Sequence, residues 1–419
     1  MHAPALQAGD WTLNHESEIE LSMINRDRVV IVGAGPVGLV SALRLAQAGI
    51  PSVVLEAAQV TPRDLRASTV HPPTLDMLDD LGVAQDYIKL GIITDCWQVI
   101  HLGTREHVRF DLSVLAGHTR HPYRLQCEQY NLAPILIDRV KATGLVDLRF
   151  GVEVTDVAQD DDGVTAHATQ DDEPISFEGR YLIGADGAHS AVRRSLGLPL
   201  EGFTYEHSTT LITTPFRFEA DIPELVGANY TWTWLDAGSM FRLRDEWRCT
   251  FYPRPGEPDV ELTDDVIESR MQGILERDEA YDVREKRTYK IHQRIVPDYR
   301  NGRIMLAGDA AHVTPPTGGL GMNGGIHDAV NLADKLARVC NGESDDLLDL
   351  YTRQRRPVAV ADILAQSHQN RIRMQLWDPE QRKEVMAHMR GLAADPERSK
   401  QMLLRTSMIE GLRQAAAVQ

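Results

Sequence analysis

The sequence predicts an α/β protein in three parts: a parallel-sheet domain assembled from discontinuous pieces, an inserted antiparallel-sheet domain, and a helical C-terminal region. Three observations carry this. The all-apolar run Val29-Val30-Ile31-Val32 has the composition of a strand covered on both faces of a parallel sheet. A similar run, Ile304-Met305-Leu306-Ala307, recurs late in the chain before a second glycine-rich turn and helix. Between the two, β-branched residues alternate with polar ones, the period-two signature of antiparallel ribbons.

Taken in order, residues 1–25 carry acids and no apolar stretch, which predicts a loosely ordered extension and no secretory leader. After Val29–Val32 come the glycines Gly33 to Gly38. Leu39 to Ala48 follow at helical spacing, with Gly49 as the stop. Ser52 to Glu56 is the next strand, completing a βαβ unit. Antiparallel ribbons are expected from Thr94 to Asp111 and Val146 to Phe177, with a turn at Asp160-Asp161-Asp162-Gly163 and a helix from Glu128 to Thr143. Thr209 to Tyr252 reads as hairpins, Asp264 to Arg277 as a helix and Glu285 to Ile295 as one strand. Beyond Leu332 the pattern is helical, with a break at Pro357. These signals divide the chain into an extension (1–25), a discontinuous first domain (26–93, 119–195 and 286–335), a substrate domain (94–118 and 196–285) and a helical region (336–419).

Composition excludes several classes of function. The 419 residues include 44 basic and 61 acidic side chains, a net charge of −17, which disfavours nucleic acid and anionic membranes as partners. Val29 to Leu43, the most apolar uncharged stretch, is interrupted by glycine and too short to span a bilayer. Cys96, Cys127, Cys249 and Cys340 are scattered without a C-x-x-C pair. No metal site or disulfide framework is expected, and a reducing cytoplasm suits the chain.

Chemistry enters with Gly33-Ala34-Gly35-Pro36-Val37-Gly38, a G-x-G-x-x-G run between strand and helix. Gly33 makes the tight turn, Gly35 admits a pyrophosphate to the backbone, and Gly38 lets helix and strand approach. The helix N-terminus supplies N–H donors. Glu56 ends the next strand about 20 residues on, where a ribose-binding carboxylate belongs. Together they indicate an adenine dinucleotide. The stretch GDAAHVTPPTGGLGMNGG, Gly308 to Gly325, is a second place where backbone is bared to a ligand.

Tyr181-Leu182-Ile183-Gly184-Ala185-Asp186-Gly187-Ala188-His189-Ser190-Ala191-Val192-Arg193 resembles the D-G motif of the single-component FAD-dependent aromatic hydroxylases, the group typified by p-hydroxybenzoate hydroxylase. Gly308 to Gly325, continued by Asp328-Ala329-Val330-Asn331-Leu332, resembles that family's G-D motif, and Leu347 to Pro357 also resembles the corresponding stretch of the family. The resemblance implies a Rossmann-like FAD-binding domain and a monooxygenase. NADH or NADPH would be its transient reductant and O2 its oxidant, acting through a C4a-hydroperoxyflavin on a small phenol-, benzoate- or pyridine-like ring. It implies that Gly33, Ala34, Gly35, Pro36, Val37 and Gly38 surround the pyrophosphate and that Glu56 takes the ribose. Arg66 and Gln129 would line the cofactor, and Asp186 and Gly187 would serve FAD and nicotinamide. Gly308 and Asp309 would meet the ribityl chain, while Pro316, Gly318, Gly321, Met322 and Asn323 would pass beside the flavin ring. The backbone carbonyl of Pro315 would lie near the transferring oxygen. A single G-x-G-x-x-G fits this family, which takes up NAD(P)H without a second nucleotide domain. Many relatives carry Gln at Leu320, Thr at Gly324 and Trp at Asp334, so the first two departures predict an altered flavin environment.

For the substrate, Tyr230, Trp232 and Trp234 alternate at period two, either as an aromatic wall or as ordinary sheet core. Arg242 is a candidate for a substrate carboxylate, against the alternative of strand-surface charge. His312, inside the G-D motif, reads as a structural hydrogen-bonding residue. The rivals are a flavin oxidoreductase of the same fold doing epoxidation or reduction, and a non-catalytic binding protein. A homodimer is compatible with the sequence, which does not fix the oligomeric state.

Overall fold

The structure, a computed structural model, describes residues 27–61, 63, 67–257 and 262–419. The extension expected at 1–25 lies outside them.

Val29–Val32 is buried at every position, and it lies inside a six-stranded sheet. Across that sheet the order is Arg300–Asn301, Ile304–Leu306, Tyr181–Gly184, Val29–Val32, Ser52–Glu56 and Val146–Phe150. All pairings are parallel except the edge pair 300–301 with 304–306. Register then does the functional work. Val32 stands opposite both Gly184 and Leu55, and Gly184 stands opposite Leu306. The strands therefore end together, and Gly33, Glu56, Asp186 and Gly308 all emerge at one carboxyl edge, where open α/β sheets bind ligands. Two helices cover this edge, Pro36–Gln47 and the long Gly321–Cys340. They meet closely because Gly325 and Gly308 lack side chains: a Cβ would lie 2.7 Å and 2.9 Å from Val37 Cγ2, respectively.

The second sheet has seven strands in the order Glu285–Tyr289, Thr209–Thr214, Trp247–Phe251, Ala237–Arg242, Ala228–Trp232, Cys96–His101 and His107–Asp111. One face packs Ile212, Met240 and Trp247 against Ile267 and Met271 of the Asp264–Ile274 helix. The other buries Trp97, Tyr230 and Trp232 against Met374, Met386, Met389 and Leu403 of the C-terminal helices. Those helices start cleanly. Asp378 and Asp395 cap Pro379–Ala393 and Pro396–Thr406 by accepting from backbone N–H groups, with proline at the first helical position.

Three sequence expectations are corrected. Val146–Phe150, expected to open an antiparallel ribbon, instead pairs parallel with Ser52–Glu56 at the edge of the first sheet, because alternation along one strand does not tell the direction of its partner. The strand expected from Glu285 to Ile295 is two strands: Glu285–Tyr289 joins the seven-stranded sheet, whereas His292–Ile295 pairs with Glu201–Thr204 and His312–Val313. An apolar–polar alternation cannot reveal that a chain changes partner sheet midway. Pro357 does not break its helix. It sits in the last turn of Asp349–Val358 and is followed directly by a π-helical segment, Ala359–Leu364, so the chain stays helical past it.

Candidate active site

The cofactor edge is made largely of backbone. Gly33 has φ of 103°, a conformation that side chains rarely adopt, and a Cβ there would strike the Ala185 carbonyl. A Cβ at Gly38 would strike the Gly33 carbonyl, whereas a Cβ at Gly35 would meet no protein atom within 4 Å. The three glycines thus differ: Gly33 and Gly38 make room for protein, and Gly35 faces open space. Helix Pro36–Gln47 begins there with no side-chain cap and no acid in its first turn, leaving its N–H donors and positive dipole end for a ligand.

Glu56 braces this loop. Its Oε2 accepts from Ala34 N–H at 2.7 Å and its Oε1 from Ala58 N–H at 3.0 Å. Each oxygen keeps a lone pair for a ribose hydroxyl. Asp186 accepts from Val192 N–H at 3.1 Å through Oδ2, while its Oδ1 is buried without a partner. Burial pushes this carboxyl above the usual range. An orphaned acceptor beside an uncapped helix and the empty space at Gly35 fit a ligand bearing hydroxyls and phosphates, so the residues present fit FAD.

The Gly308–Gly325 run is held by a buried ionic network. Asp328 is fully buried, accepting from Arg355 Nε at 2.7 Å, His312 Nε2 at 2.8 Å and Gly308 N–H at 3.3 Å. Burial alone would raise the Asp328 carboxyl, but Arg355 and His312 outweigh it and hold it below the usual range. His312 thus bridges the loop to the helix behind it, and Asp309 sits half-buried in the turn Gly308–Ala310. Further on, Pro316 O accepts from Gly319 N–H at 2.9 Å, and Pro315 is buried. Helix Gly321–Cys340 then begins at Gly321 and Met322, again with no side-chain cap and no first-turn acid. This second bare N-terminus could hold negative charge on a reduced flavin.

Several assignments need refinement. The Asn323 amide is spent on protein: Oδ1 accepts from His71 N–H at 2.8 Å, and Nδ2 donates to Thr69 O at 2.8 Å and Gly319 O at 2.6 Å. It shapes the loop, and only its backbone is left for a ligand. The Leu320 side chain is fully buried in the first core, so this departure from the relatives answers to packing and not to an altered flavin environment. A Cβ at Gly324 would run into Ile363 of the π-helical segment, so that departure too answers to packing. Asp334 pairs with Arg44 of the glycine helix at 2.6 Å. Gln129 starts a short 3-10 turn, its N–H donating to Ala67 O at 2.9 Å. Arg66 lies outside the described residues.

Beside the loop is a cavity of about 360 Å³, the candidate substrate site, lined by Trp97, Arg124, Tyr230, Gly318 and the C-terminal helices. Tyr230 is there, and Trp97 meets it edge-on at 5.7 Å between ring centroids. Trp232 is not: fully buried, it packs under Arg382, whose guanidinium lies 5.7 Å from its ring. Trp234 lies past the end of its strand and is 71% exposed, so the period-two wall stops after two residues. Arg242 is spent elsewhere, bonding Glu246 O at 3.0 Å and pairing with Glu219 at 3.2 Å. Trp97, Arg124 and Arg373 were not singled out from sequence, and no local motif marks them. His71 joins the two sides. Burial, then the Arg124 charge, hold it well below the usual imidazole range, so the neutral ring donates from Nε2 to Gly318 O at 2.8 Å. Among the described residues no cluster of His, Cys, Asp or Glu could hold a metal ion, and no helix is long and apolar enough to cross a membrane.

Comparison with known proteins agrees with this geometry. A family model described as an FAD binding domain matches residues 26–365. The para-nitrophenol 4-monooxygenase of Pseudomonas sp. (strain WBC-3) is 33% identical over 397 residues, covering 92% of this chain and 97% of its own length. The 6-hydroxy-3-succinoylpyridine 3-monooxygenase HspB of Pseudomonas putida (strain DSM 28022 / S16) is 38% identical over 343 residues, covering 80% of this chain and 85% of its own. Among solved structures, p-nitrophenol 4-monooxygenase PnpA from Pseudomonas putida DLL-E4 superposes with a TM-score of 0.85 at 30% identity, over 92% of this chain and 98% of that one. With the glycine turn, the D-G segment and the G-D loop gathered at one sheet edge, the chain belongs to the FAD-binding-domain family of single-component FAD-dependent aromatic monooxygenases.

Proposed function

We propose that this monooxygenase hydroxylates a small phenol-, benzoate- or pyridine-like ring held in the cavity behind Gly318, with NADH or NADPH as reductant and O2 as oxidant. The observation that carries this is the placement of the cavity. Its wall includes Gly318 of the cofactor loop, while its other sides are the aromatic rings of Trp97 and Tyr230 and the side chains of Met374 and Met389. A volume of about 360 Å³ suits a single substituted ring, at the lower end of small-molecule sites.

When bound, FAD supplies electron transfer and oxygen activation. The chain's own residues bind and orient. The Gly33–Gly38 turn and its helix end hold the pyrophosphate, Glu56 the ribose, and Asp309 the ribityl hydroxyls. Gln129, Asp186 and Gly187 flank the cofactor. The backbone of Pro316, Gly318, Gly321, Met322 and Asn323 would hold the flavin ring, and the Pro315 carbonyl would serve the reacting side. The apolar C-terminal helices exclude water, which favours oxygen transfer over loss as hydrogen peroxide. The reading also places the enzyme in the cytoplasm, where its four free cysteines stay reduced.

The test is a screen of purified, flavin-loaded enzyme over hydroxybenzoates, nitrophenols, aminophenols and hydroxypyridines. At least one ring should accelerate NADH or NADPH oxidation and appear with an added oxygen atom by mass spectrometry. A chain that binds no flavin, or oxidises NAD(P)H without oxygenating any ring, sinks the proposal.

A further inference from the structure

The cavity carries an electrostatic feature that ring binding alone does not explain. Arg124 is 3% exposed, and its Nε is buried without a hydrogen-bond partner. It comes from the short strand Arg124–Gln126, and its guanidinium lies 5.6 Å from the Trp97 ring. Arg373, on helix Ala365–Met374, also lines the cavity. Burial pushes both guanidiniums below their ordinary range. Among the described residues the Tyr230 hydroxyl is the group that offsets this at both, and no carboxylate does so. Glu384 and His388, the other titratable lining residues, are exposed on helix Pro379–Ala393.

A guanidinium facing an apolar cavity loses hydration, and buried cations are ordinarily paired. Arg355, buried elsewhere in the chain, is paired in this way with Asp328. An anion entering between Arg124 and Arg373 would supply the missing partner with planar, charge-assisted hydrogen bonds. Arg373 lies beyond residues 26–365, so one arm of this site comes from the helical region outside the matched family model.

Building on the proposed function, we infer that Arg124 and Arg373 clamp an oxyanion of the substrate ring, a carboxylate or a phenolate, and so select anionic over neutral rings. The clamp anchors one edge of the ring beside Tyr230 and leaves the rest toward Gly318.

The experiment measures binding to flavin-loaded enzyme by equilibrium dialysis, so it does not depend on turnover. Benzoate and 4-hydroxybenzoate are compared with benzamide and methyl 4-hydroxybenzoate. 4-Nitrophenol above and below its own pKa tests the phenolate source. Arg373→Gln, on the more accessible side, is the main variant. Arg373→Lys tests whether charge without the planar fork suffices, and Arg124→Gln is read only if flavin content and circular dichroism match wild type. Anions of one or both sources should bind at least about tenfold more tightly than their neutral partners, as expected for a charge-assisted contact. Arg373→Gln should erase that ratio while leaving neutral-ring affinity within about twofold. Equal affinity for anions and neutral analogues, or an unchanged ratio in Arg373→Gln, overturns the clamp. Oxygenation of neutral rings alone would overturn it too, while leaving the proposed function intact.

Discussion

Around Gly33–Gly38 and Gly318–Asn323, the groups that face a ligand are mainly backbone N–H donors at two uncapped helix ends. Around Trp97, Arg124, Tyr230 and Arg373, they are side chains from strands and a helix far apart in sequence. The first half works by removing side chains, so that backbone approaches the cofactor, and the second by importing them from distant segments. The contrast explains why one half can serve a common cofactor and the other can diverge with substrate. A glycine turn tolerates almost no substitution, whereas a wall of side chains changes residue by residue without disturbing the sheet edge.

Breaking the buried network behind the cofactor loop should have the largest effect. Asp328→Ala would leave Arg355 buried and unpaired at a cost of about 3–5 kcal/mol, read as a large fall in melting temperature with loss of flavin. The same pair sets a pH dependence. Because the folded-state pKa of Asp328 is depressed, its contribution to stability is present above the unfolded carboxylate value and is lost as pH falls through the folded one. Wild-type melting temperature should therefore drop on acidification, with the drop diminished in Asp328→Ala.

The next pair sharpens the backbone half. Gly38→Ala places a methyl group against the Gly33 carbonyl and should cost roughly 1–3 kcal/mol of stability even without FAD. Gly35→Ala meets no protein atom. It should leave the apo-protein's melting temperature nearly unchanged while weakening FAD binding, measured by flavin fluorescence titration. Equal destabilisation by the two would refute the division of labour among these glycines. The smallest effect is expected at Trp234, which is exposed and outside the cavity: Trp234→Ala should shift stability by only about 0.5 kcal/mol and leave ring affinity unchanged. A clear loss of ring binding would return Trp234 to the substrate site.

Much of the cofactor half was legible because its information is local. A glycine that must take positive φ, or must lack a Cβ, announces itself wherever it stands, and Gly33, Gly38, Gly318 and Glu56 lie in contiguous, recognisable runs. What local sequence concealed was which glycines serve protein packing and which serve a ligand. Leu320 and Gly324 read as flavin-loop differences, yet they answer to the first core and to Ile363. The substrate half was legible only in part. Period two put Tyr230 and Trp232 on one face, but it gave no sign that the strand ends at Trp232 and leaves Trp234 in solvent.

The sequence alone determined the class of protein and the cofactor edge: short buried strands must lie in a parallel sheet, and bare turns after them must admit a ligand. Only the tertiary structure decided which side chains meet across the cavity. Arg124 and Arg373 are separated by most of the chain, and neither carries a local signature. That both line one cavity follows from the C-terminal helices packing on the second sheet, a contact set by burial of Met374, Met386 and Leu403 against Trp97 and Tyr230. Hydrophobic burial of this kind is non-directional, so no short stretch of sequence encodes where it will bring two charges together.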